Sequence, residues 1–194
     1  MTRPIRIGIQ GGAGSFNDEA VRFYANRRQL SSWEVVYLHT TAAVLAALTA
    51  KDIDYGQFAI CNSSGGLVEE TMQAIGPHRF QVLEWYTIPV SHHLICRQEA
   101  DIGSLDTIIT HPQVLSQCRA TLRQQYPHLR LTSGQGAMID PARVAAALQS
   151  GEMPVSVATL GCRSLARQYG LQIIAHDLQD NPRNETTFLL VAGL

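Results

Sequence analysis

The fold is decided near the start of the chain by residues 5–20, which read IRIGIQGGAGSFNDEA. Isoleucine alternates with other residues over 5–9, a pattern that predicts a β-strand. A glycine-rich turn follows at 10–14, and Ser15 or Asn17 can cap the helix that comes next. A strand, a tight turn and a helix in this order indicate an α/β protein built largely on parallel strands.

The alternation of strands and helices continues along the chain. Further strands are predicted at 34–38, 56–60, 92–96, 129–132, 155–159, 172–175 and 187–192, with a strand or helix edge at 105–109. Helices are predicted at 42–50, 67–75, 112–126, 142–149 and 162–169, and 80–90 is predicted as an extended connection. We therefore expect two α/β lobes with a ligand cleft between them, 1–90 and 178–194 forming the first lobe and 91–177 the second.

The composition argues against several functional classes. The 194 residues carry a formal net charge of −1, so no overall positive field would attract nucleic acid or an anionic membrane surface. The four cysteines have no metal-ligand spacing, and the adjacent His92 and His93 would point to opposite faces of a strand. We expect no metal and no cofactor. Since neither a signal peptide nor a membrane-spanning run is present, we expect a cytoplasmic protein, with homodimer formation left open.

Four segments resemble the prephenate dehydratase family. They are QGGAGSFN at 10–17, Asn62-Ser63, THPQVLSQC at 110–118 and DNPRNETTF at 180–188. In the same order they resemble the family's glycine-rich first turn, its Glu-Asn-Ser turn, its His-Pro-Gln…Gln-Cys helix start and its Asn-x-Thr-Arg-Phe segment. The resemblance implies a fold similar to type II periplasmic-binding-protein-like folds. It also implies a lyase of phenylalanine biosynthesis that converts prephenate to phenylpyruvate, CO2 and water.

The sequence departs from this family pattern at three positions. Thr187 stands where the family has arginine, Cys61 where it has glutamate, and Asn17 where serine is common. An arginine could hold a substrate carboxylate by two charge-assisted hydrogen bonds of about 1.5–3 kcal/mol each, whereas threonine offers one neutral donor. The change predicts either altered chemistry or lost activity. The chain ends at Leu194, so we expect no phenylalanine-binding regulatory domain.

Other cations could take over the binding of the substrate's carboxylates. The candidates are Arg6, Arg97, Arg163 and Arg183. The sequence alone does not choose among them.

The resemblance implies that Thr186 is catalytic. Its hydroxyl would donate a hydrogen bond to the departing ring hydroxyl; the alternative is a local bond to the backbone at the start of a strand. The substrate-binding residues that the resemblance implies are Gln10, Ser15, Asn62, Ser63, His111, Gln113, Ser133, Thr187 and Phe188.

Most of these side chains also have a structural alternative. The turn from Gln10 to Ser15 can present backbone amides to a carboxylate or can simply be a tight turn that needs glycine. Asn62 and Ser63 could face the ligand or form an ordinary Asx turn. The residues at the helix start near Pro112 and in the final strand have the same two interpretations.

His111 could act as a general base because imidazole titrates near neutrality, but its position before Pro112 favours capping of the helix. Gln113 can both donate to and accept from a substrate. Ser133 lies in a loop that corresponds to a substrate-side turn of the family. Phe188 packs against either the substrate or the core.

The sequence thus predicts a prephenate dehydratase-like lyase whose partner is a small carboxylate. Two alternatives remain. One is a prephenate decarboxylase that keeps the ring hydroxyl, and the other is a non-catalytic sensor that binds a small carboxylate.

Overall fold

The computed structural model describes residues 3–194. In chain order the first elements are β1 (Ile5–Ile9), α1 (Phe16–Arg27), β2 (Trp33–Tyr37), α2 (Thr41–Thr49), β3 (Tyr55–Asn62), β4 (Gly66–Leu67), α3 (Glu69–Ile75) and β5 (Gln81–Pro89). There follow β6 (His93–Cys96), β7 (Thr107–Thr110), α4 (Pro112–Gln125), β8 (Arg130–Ser133), a short 3-10 helix (Gly136–Ile139), α5 (Pro141–Ser150), β9 (Val157–Gly161), α6 (Arg163–Gln168), β10 (Gln172–Ala175) and β11 (Glu185–Ala192).

These elements form two compact units. The first contains the chain up to Pro89 together with Glu185–Leu194, and the second contains Val90–Asn184. Each unit is built on one mixed β-sheet flanked by helices. The predicted fold class, two α/β lobes, is confirmed. No helix within residues 3–194 is long and apolar enough to cross a membrane.

The sheet of the first unit has the strand order β2-β1-β3-β11-β5, and β4 pairs with β3. β1 is parallel to β2 and β3, whereas β11 is antiparallel to β3 and β5. The stretch 80–90, predicted as an extended connection, instead forms β5 at the edge of this sheet. It does so because Tyr86 and Ile88, two residues apart, both point into the core and are each 4% exposed.

β11 contributes to two hydrophobic cores, one on each face of the sheet. Phe188 and Leu190 pack in a core that includes residues of α1, and Leu189 and Val191 pack in a core that includes residues of α2. The alternation follows from the two-residue period of a strand. The apolar run of β11 is therefore explained by burial on both faces.

The sheet of the second unit has the order β10-β6-β9-β7-β8. β7 is parallel to β8 and β9, and β6 is antiparallel to β9 and β10. Residues 178–184, which we expected in the first lobe, are hydrogen-bonded within the second unit. The amide of Leu178 donates to the carbonyl of His92 at 2.8 Å, and that of Asp180 donates to the carbonyl of Gln117 at 2.6 Å.

Candidate functional site

Thr186 and Asn62 form a polar pair between neighbouring strands of the first unit. They are register partners on β11 and β3, and Asn62 Nδ2 donates to Thr186 Oγ1 at 2.9 Å and to the carbonyl of Glu185 at 3.1 Å. Thr186 is only 8% exposed. Because its hydroxyl oxygen is the acceptor in this pair, its hydroxyl proton can be donated to a different acceptor. The pair can thus act as a hydrogen-bond donor in a largely dehydrated position.

The turn after β3 holds this pair in place. Asn62 Oδ1 accepts from the amides of Ser64 at 2.9 Å and Gly65 at 2.8 Å, which is the Asx-turn arrangement. Ser63 exchanges two hydrogen bonds with Glu185: its amide donates to the carbonyl at 2.8 Å, and its Oγ accepts from the amide at 2.9 Å. The structure therefore brings Asn62, Ser63 and Thr186 together, and the Asx turn is the device that orients Asn62.

Thr187 points away from Thr186, since successive side chains of a strand face opposite sides of the sheet. Its register partners are Cys61 on β3 and Thr87 on β5, and its Oγ1 lies 3.1 Å from that of Thr87. Leu67 on β4 pairs in turn with Cys61. We call these four residues, Leu67, Cys61, Thr187 and Thr87, the neutral row because none is charged. The two threonines of the motif thus present their hydroxyls to opposite faces.

Gln10 and Ser15 both support the glycine-rich turn. Gln10 Oε1 accepts from the amide of Ala59 at 3.1 Å, and its Nε2 donates to Glu70 Oε2 at 2.5 Å. Ser15 Oγ caps α1 by accepting from the amide of Asp18 at 3.2 Å. Both side chains are engaged in these bonds, and the substrate-binding role that the resemblance implies for them stays a prediction.

Phe188 lies wholly within the core of the first unit, with 0% exposure. Its ring stacks on that of Tyr86 with centroids 5.8 Å apart. The Tyr86 hydroxyl donates to Gln57 Oε1 at 2.7 Å, and Gln57 Nε2 donates to Asn17 Oδ1 at 3.2 Å. Burial raises the pKa of Tyr86, so the hydroxyl stays protonated as a donor. Asn17, one of the departures from the family pattern, thereby closes a polar chain from β5 to α1.

In the second unit, His111, Gln113 and Ser133 belong to one edge of the sheet. His111 follows the last residue of β7, and its Nδ1 caps α4 by accepting from the amide of Gln113 at 3.1 Å. The side chain of Gln113 is exposed. Ser133, the last residue of β8, is the parallel register partner of Thr110, the last residue of β7. Because parallel strands end at the same edge, ligands commonly bind there.

Gln117 connects two of the quoted segments, a role that we did not predict. Its Oε1 lies 2.8 Å from His92 Nε2 and 3.4 Å from Asn184 Nδ2. Burial lowers the pKa of His92, so the neutral imidazole can donate to Gln117. The sequence did single out both residues, since Gln117 and Asn184 belong to the segments that resemble the family. Their contact, however, depends on the path of residues 178–184, which the sequence does not reveal.

Asp180 contacts the middle of α4 directly. Its carboxylate accepts from the amides of Ala120 at 3.0 Å and Thr121 at 2.8 Å, in addition to the bond from its own amide to the carbonyl of Gln117. Amides inside a helix usually bond to carbonyls four residues earlier. The segment that leads into β11 is thus fastened to the helix that begins at Pro112.

His93 is almost fully buried next to β10. Its Nδ1 accepts from the amide of Asp177 at 3.2 Å, and its ring meets that of His176 edge-on with centroids 5.2 Å apart. Burial, followed by the nearby charge of Arg163, lowers the pKa of His93 to about 4. No group of His, Cys, Asp or Glu within residues 3–194 is arranged to hold a metal ion.

The arginines proposed as carboxylate ligands differ in their surroundings. Arg6 Nε lies 3.2 Å from Glu34 Oε1, and Arg97 is paired with Glu99. Arg163 is the first residue of α6. Arg6 and Arg97 therefore already have a carboxylate partner.

Comparison with known proteins identifies the family. The model of the family described as prephenate dehydratase matches residues 7–193 of this chain. A bifunctional chorismate mutase/prephenate dehydratase of Enterobacter agglomerans is 26% identical over 187 residues, which cover 96% of this chain and 46% of the relative. Arogenate dehydratase 1 of Petunia hybrida is 26% identical over 189 residues, 97% of this chain and 42% of the relative. The chain thus spans about half the length of the curated relatives it matches.

Solved structures agree on the fold. Prephenate dehydratase from Arthrobacter aurescens, in complex with L-Phe, matches with a TM-score of 0.85 and 22% identity over 98% of this chain and 61% of that chain. A putative methionine-binding lipoprotein of Bacillus subtilis matches with a TM-score of 0.50 and 14% identity over 98% and 83%. At such identities the likenesses show the fold alone, and they confirm the predicted similarity to periplasmic-binding-protein-like folds. With the family pattern extending over nearly its whole length, the chain belongs to the prephenate dehydratase family.

Proposed function

We propose that this protein is a lyase that removes CO2 and water from prephenate or a close cyclohexadiene relative. The observation that carries the proposal is the pair of Asn62 and Thr186, in which the amide binds the hydroxyl oxygen at 2.9 Å. A hydroxyl held in this way is oriented before the substrate binds, which is the condition for effective stabilisation of a leaving group. Membership of the family supports this class of reaction. The proposal includes that the protein works in the cytoplasm.

The proposed reaction needs little covalent chemistry from the protein. The bond between the ring and its carboxylate breaks, its electron pair enters the ring, and the hydroxyl leaves from the opposite ring carbon. One proton joins that hydroxyl to form water, and phenylpyruvate and CO2 are the other products. Thr186 donates a hydrogen bond to the leaving oxygen, where negative charge develops. An aliphatic alcohol is a weak acid, so the transferred proton comes from solvent through this hydrogen bond or beside it.

A prephenate decarboxylase is a second candidate, and the neutral row favours it. Cys61 and Thr187 are register partners, and they stand where the family pattern has glutamate and arginine. Both departures therefore fall on one side of the sheet, and both remove charge. In this reaction CO2 leaves, a proton is added to the ring system, and the ring hydroxyl stays in a non-aromatic product.

Product analysis tests these proposals. Purified protein is incubated separately with prephenate and with arogenate, and the products are analysed by mass spectrometry. Phenylpyruvate from prephenate, or phenylalanine from arogenate, supports the dehydratase. A product that has lost CO2 but kept oxygen on the ring supports the decarboxylase. Calorimetric binding of either compound without turnover overturns both and supports the sensor.

A further inference from the structure

A cavity of about 400 Å³ lies in the first unit, beyond the end of α2. The residues that line it fall into a buried apolar floor and a polar, largely cationic rim. The floor consists of Leu45, Leu48 and Ile53, and the polar side chains of the rim are Arg3, Thr49, Lys51, Asp54, His78 and Arg79. Gly193 and the exposed Leu194 complete the lining. None of these residues takes part in the proposed reaction.

The charged side chains around this cavity do not balance, since three are cationic and one is a carboxylate. Asp54 is already bound by Arg3 at 2.6 and 3.1 Å and by the amide of Arg6 at 2.8 Å. Lys51 and Arg79 belong to none of the ion pairs formed within residues 3–194. Two cationic side chains therefore line the same cavity without an ion-pair partner among residues 3–194.

Lys51 also has an uncommon backbone conformation. Its φ is 61°, and its amide and that of Asp52 bond back to Leu48 at 3.2 Å and Ala47 at 2.9 Å, which closes the end of α2. Glycine is favoured at such a position, yet the only lysine of the chain occupies it. The conformation alone does not indicate a site, because Gln29 after α1 has a φ of 52° as well. What distinguishes Lys51 is the cavity.

We propose that this cavity binds a small monocarboxylate with an aromatic or branched apolar body. Lys51 and Arg79 hold the carboxylate by charge-assisted hydrogen bonds, and the apolar body packs over Leu48. A volume of about 400 Å³ is within the range of small-molecule sites. Inorganic phosphate would satisfy the cations but would leave the apolar floor without a contact, so we expect it to bind more weakly.

Titrations followed by ¹⁵N NMR test the proposal with three probes. Benzoate supplies the carboxylate and the ring, benzamide supplies the ring without the charge, and inorganic phosphate supplies the charge without the ring. Benzoate is expected to shift the amides of Leu48, Lys51, Arg79 and Gly193, benzamide is expected to shift none of them, and phosphate to shift them only at higher concentration.

Two variants remove the cations, and a third serves as the control. Lys51→Gly removes the charge and relieves the backbone conformation, so its Tm is expected to stay equal or to rise by up to about 4 °C. Arg79→Gln removes the second cation. Each is expected to weaken benzoate binding about tenfold or more. Gln29→Gly makes the same backbone change after α1 and is expected to leave benzoate binding unaltered.

Each combination of results either supports the site or overturns it. Benzoate binding that is lost in Lys51→Gly and Arg79→Gln, and kept in Gln29→Gly, establishes the site. Equal binding of benzamide and benzoate would overturn it, because the cations would then be irrelevant. Benzoate shifts that persist in both cation variants, or that map elsewhere, would overturn it as well. A phosphate affinity equal to that of benzoate would refute the apolar part of the proposal.

Discussion

Replacing Thr186 by valine would remove one hydroxyl from the proposed catalytic pair and keep the shape of the side chain. The hydroxyl oxygen accepts from Asn62 Nδ2 at 2.9 Å, and that nitrogen also donates to the carbonyl of Glu185 at 3.1 Å. The amide therefore keeps an acceptor after the substitution. The variant should fold with the turn after β3 intact.

The expected cost to stability is small compared with the expected loss of activity. One hydrogen bond contributes about 0.5–1.5 kcal/mol to the free energy of unfolding, which corresponds to a decrease in Tm of roughly 1–6 °C for a chain of this size. Loss of a donor that stabilises a leaving group lowers kcat by about 10²- to 10³-fold. Because that bond acts mainly in the transition state, KM should change little.

Steady-state kinetics on whichever substrate the unaltered protein turns over would test this expectation. Thr187→Val is the matched comparison, since it removes a hydroxyl with one cross-strand partner, Thr87 at 3.1 Å, from the opposite face of the same strand. It should show a similar change in Tm, a kcat within about tenfold of the unaltered protein, and at most a change in KM. Thr186→Ser, which keeps the hydroxyl, should retain most of the activity. Our reasoning is refuted if Thr186→Val keeps its kcat, or if both valine variants lose kcat equally.

Three further predictions concern stability. The contribution of His93 to the free energy of unfolding should fall by about 3 kcal/mol as the pH decreases from about 7 to 4, because the pKa of His93 in the folded protein, about 4, lies below its value of about 6.5 in an unfolded chain, so the unfolded state binds the proton first. In urea titrations His93→Gln should show a smaller pH dependence and keep the part that comes from His92, whose pKa is also lowered by burial; an unchanged pH slope would contradict the prediction. Cys61→Glu and Thr187→Arg, as register partners, should couple favourably by about 0.2–1 kcal/mol at low salt in a double-mutant cycle; additive effects would argue against the pairing. Asp180→Ala should lower the free energy of unfolding by about 1 kcal/mol and speed hydrogen exchange of the amides of Ala120 and Thr121, which Asp180 binds. Unchanged exchange at these two amides would contradict a stabilising role for Asp180.

The alternation of strands and helices could be predicted from the sequence because each element is marked locally. Isoleucine at every second position marks β1, and Ser15 caps α1 as one of the two candidates weighed. The edge strand β5 was harder to predict, since the exposed apolar residues Val82, Leu83 and Trp85 obscure the apolar–polar alternation of its sequence. Its assignment depends on pairing with β11, which lies about a hundred residues later in the chain and leaves no local signal.

The sequence indicated which residues of the candidate site to examine, but not how they contact one another. The motif segments pointed to Asn62 and Thr186, but their contact spans 124 residues and could not be derived from either segment alone. Phe188 shows that a residue of a motif segment can also be part of the hydrophobic core. Its ring has no exposed surface and stacks on Tyr86. Gln117 was missed because its partners, His92 and Asn184, are set by a connection without secondary structure of its own.

The position of the departures on the sheet gives them a common physical meaning. Cys61 and Thr187 lie opposite each other in the neutral row, whereas Thr186 faces the other side and keeps its bond from Asn62. An arginine at 187 and a glutamate at 61 would be cross-strand neighbours of opposite charge. If one of them is replaced by a neutral residue, the other charge loses its partner, which favours replacement of the second residue as well. The paired change removes charge from one face of the strand and leaves the hydrogen-bond donor on the other face in place. Relative to the family pattern, the chain therefore carries less charge at positions 61 and 187, whereas the hydrogen-bond donor that we propose for the leaving group is kept at Thr186.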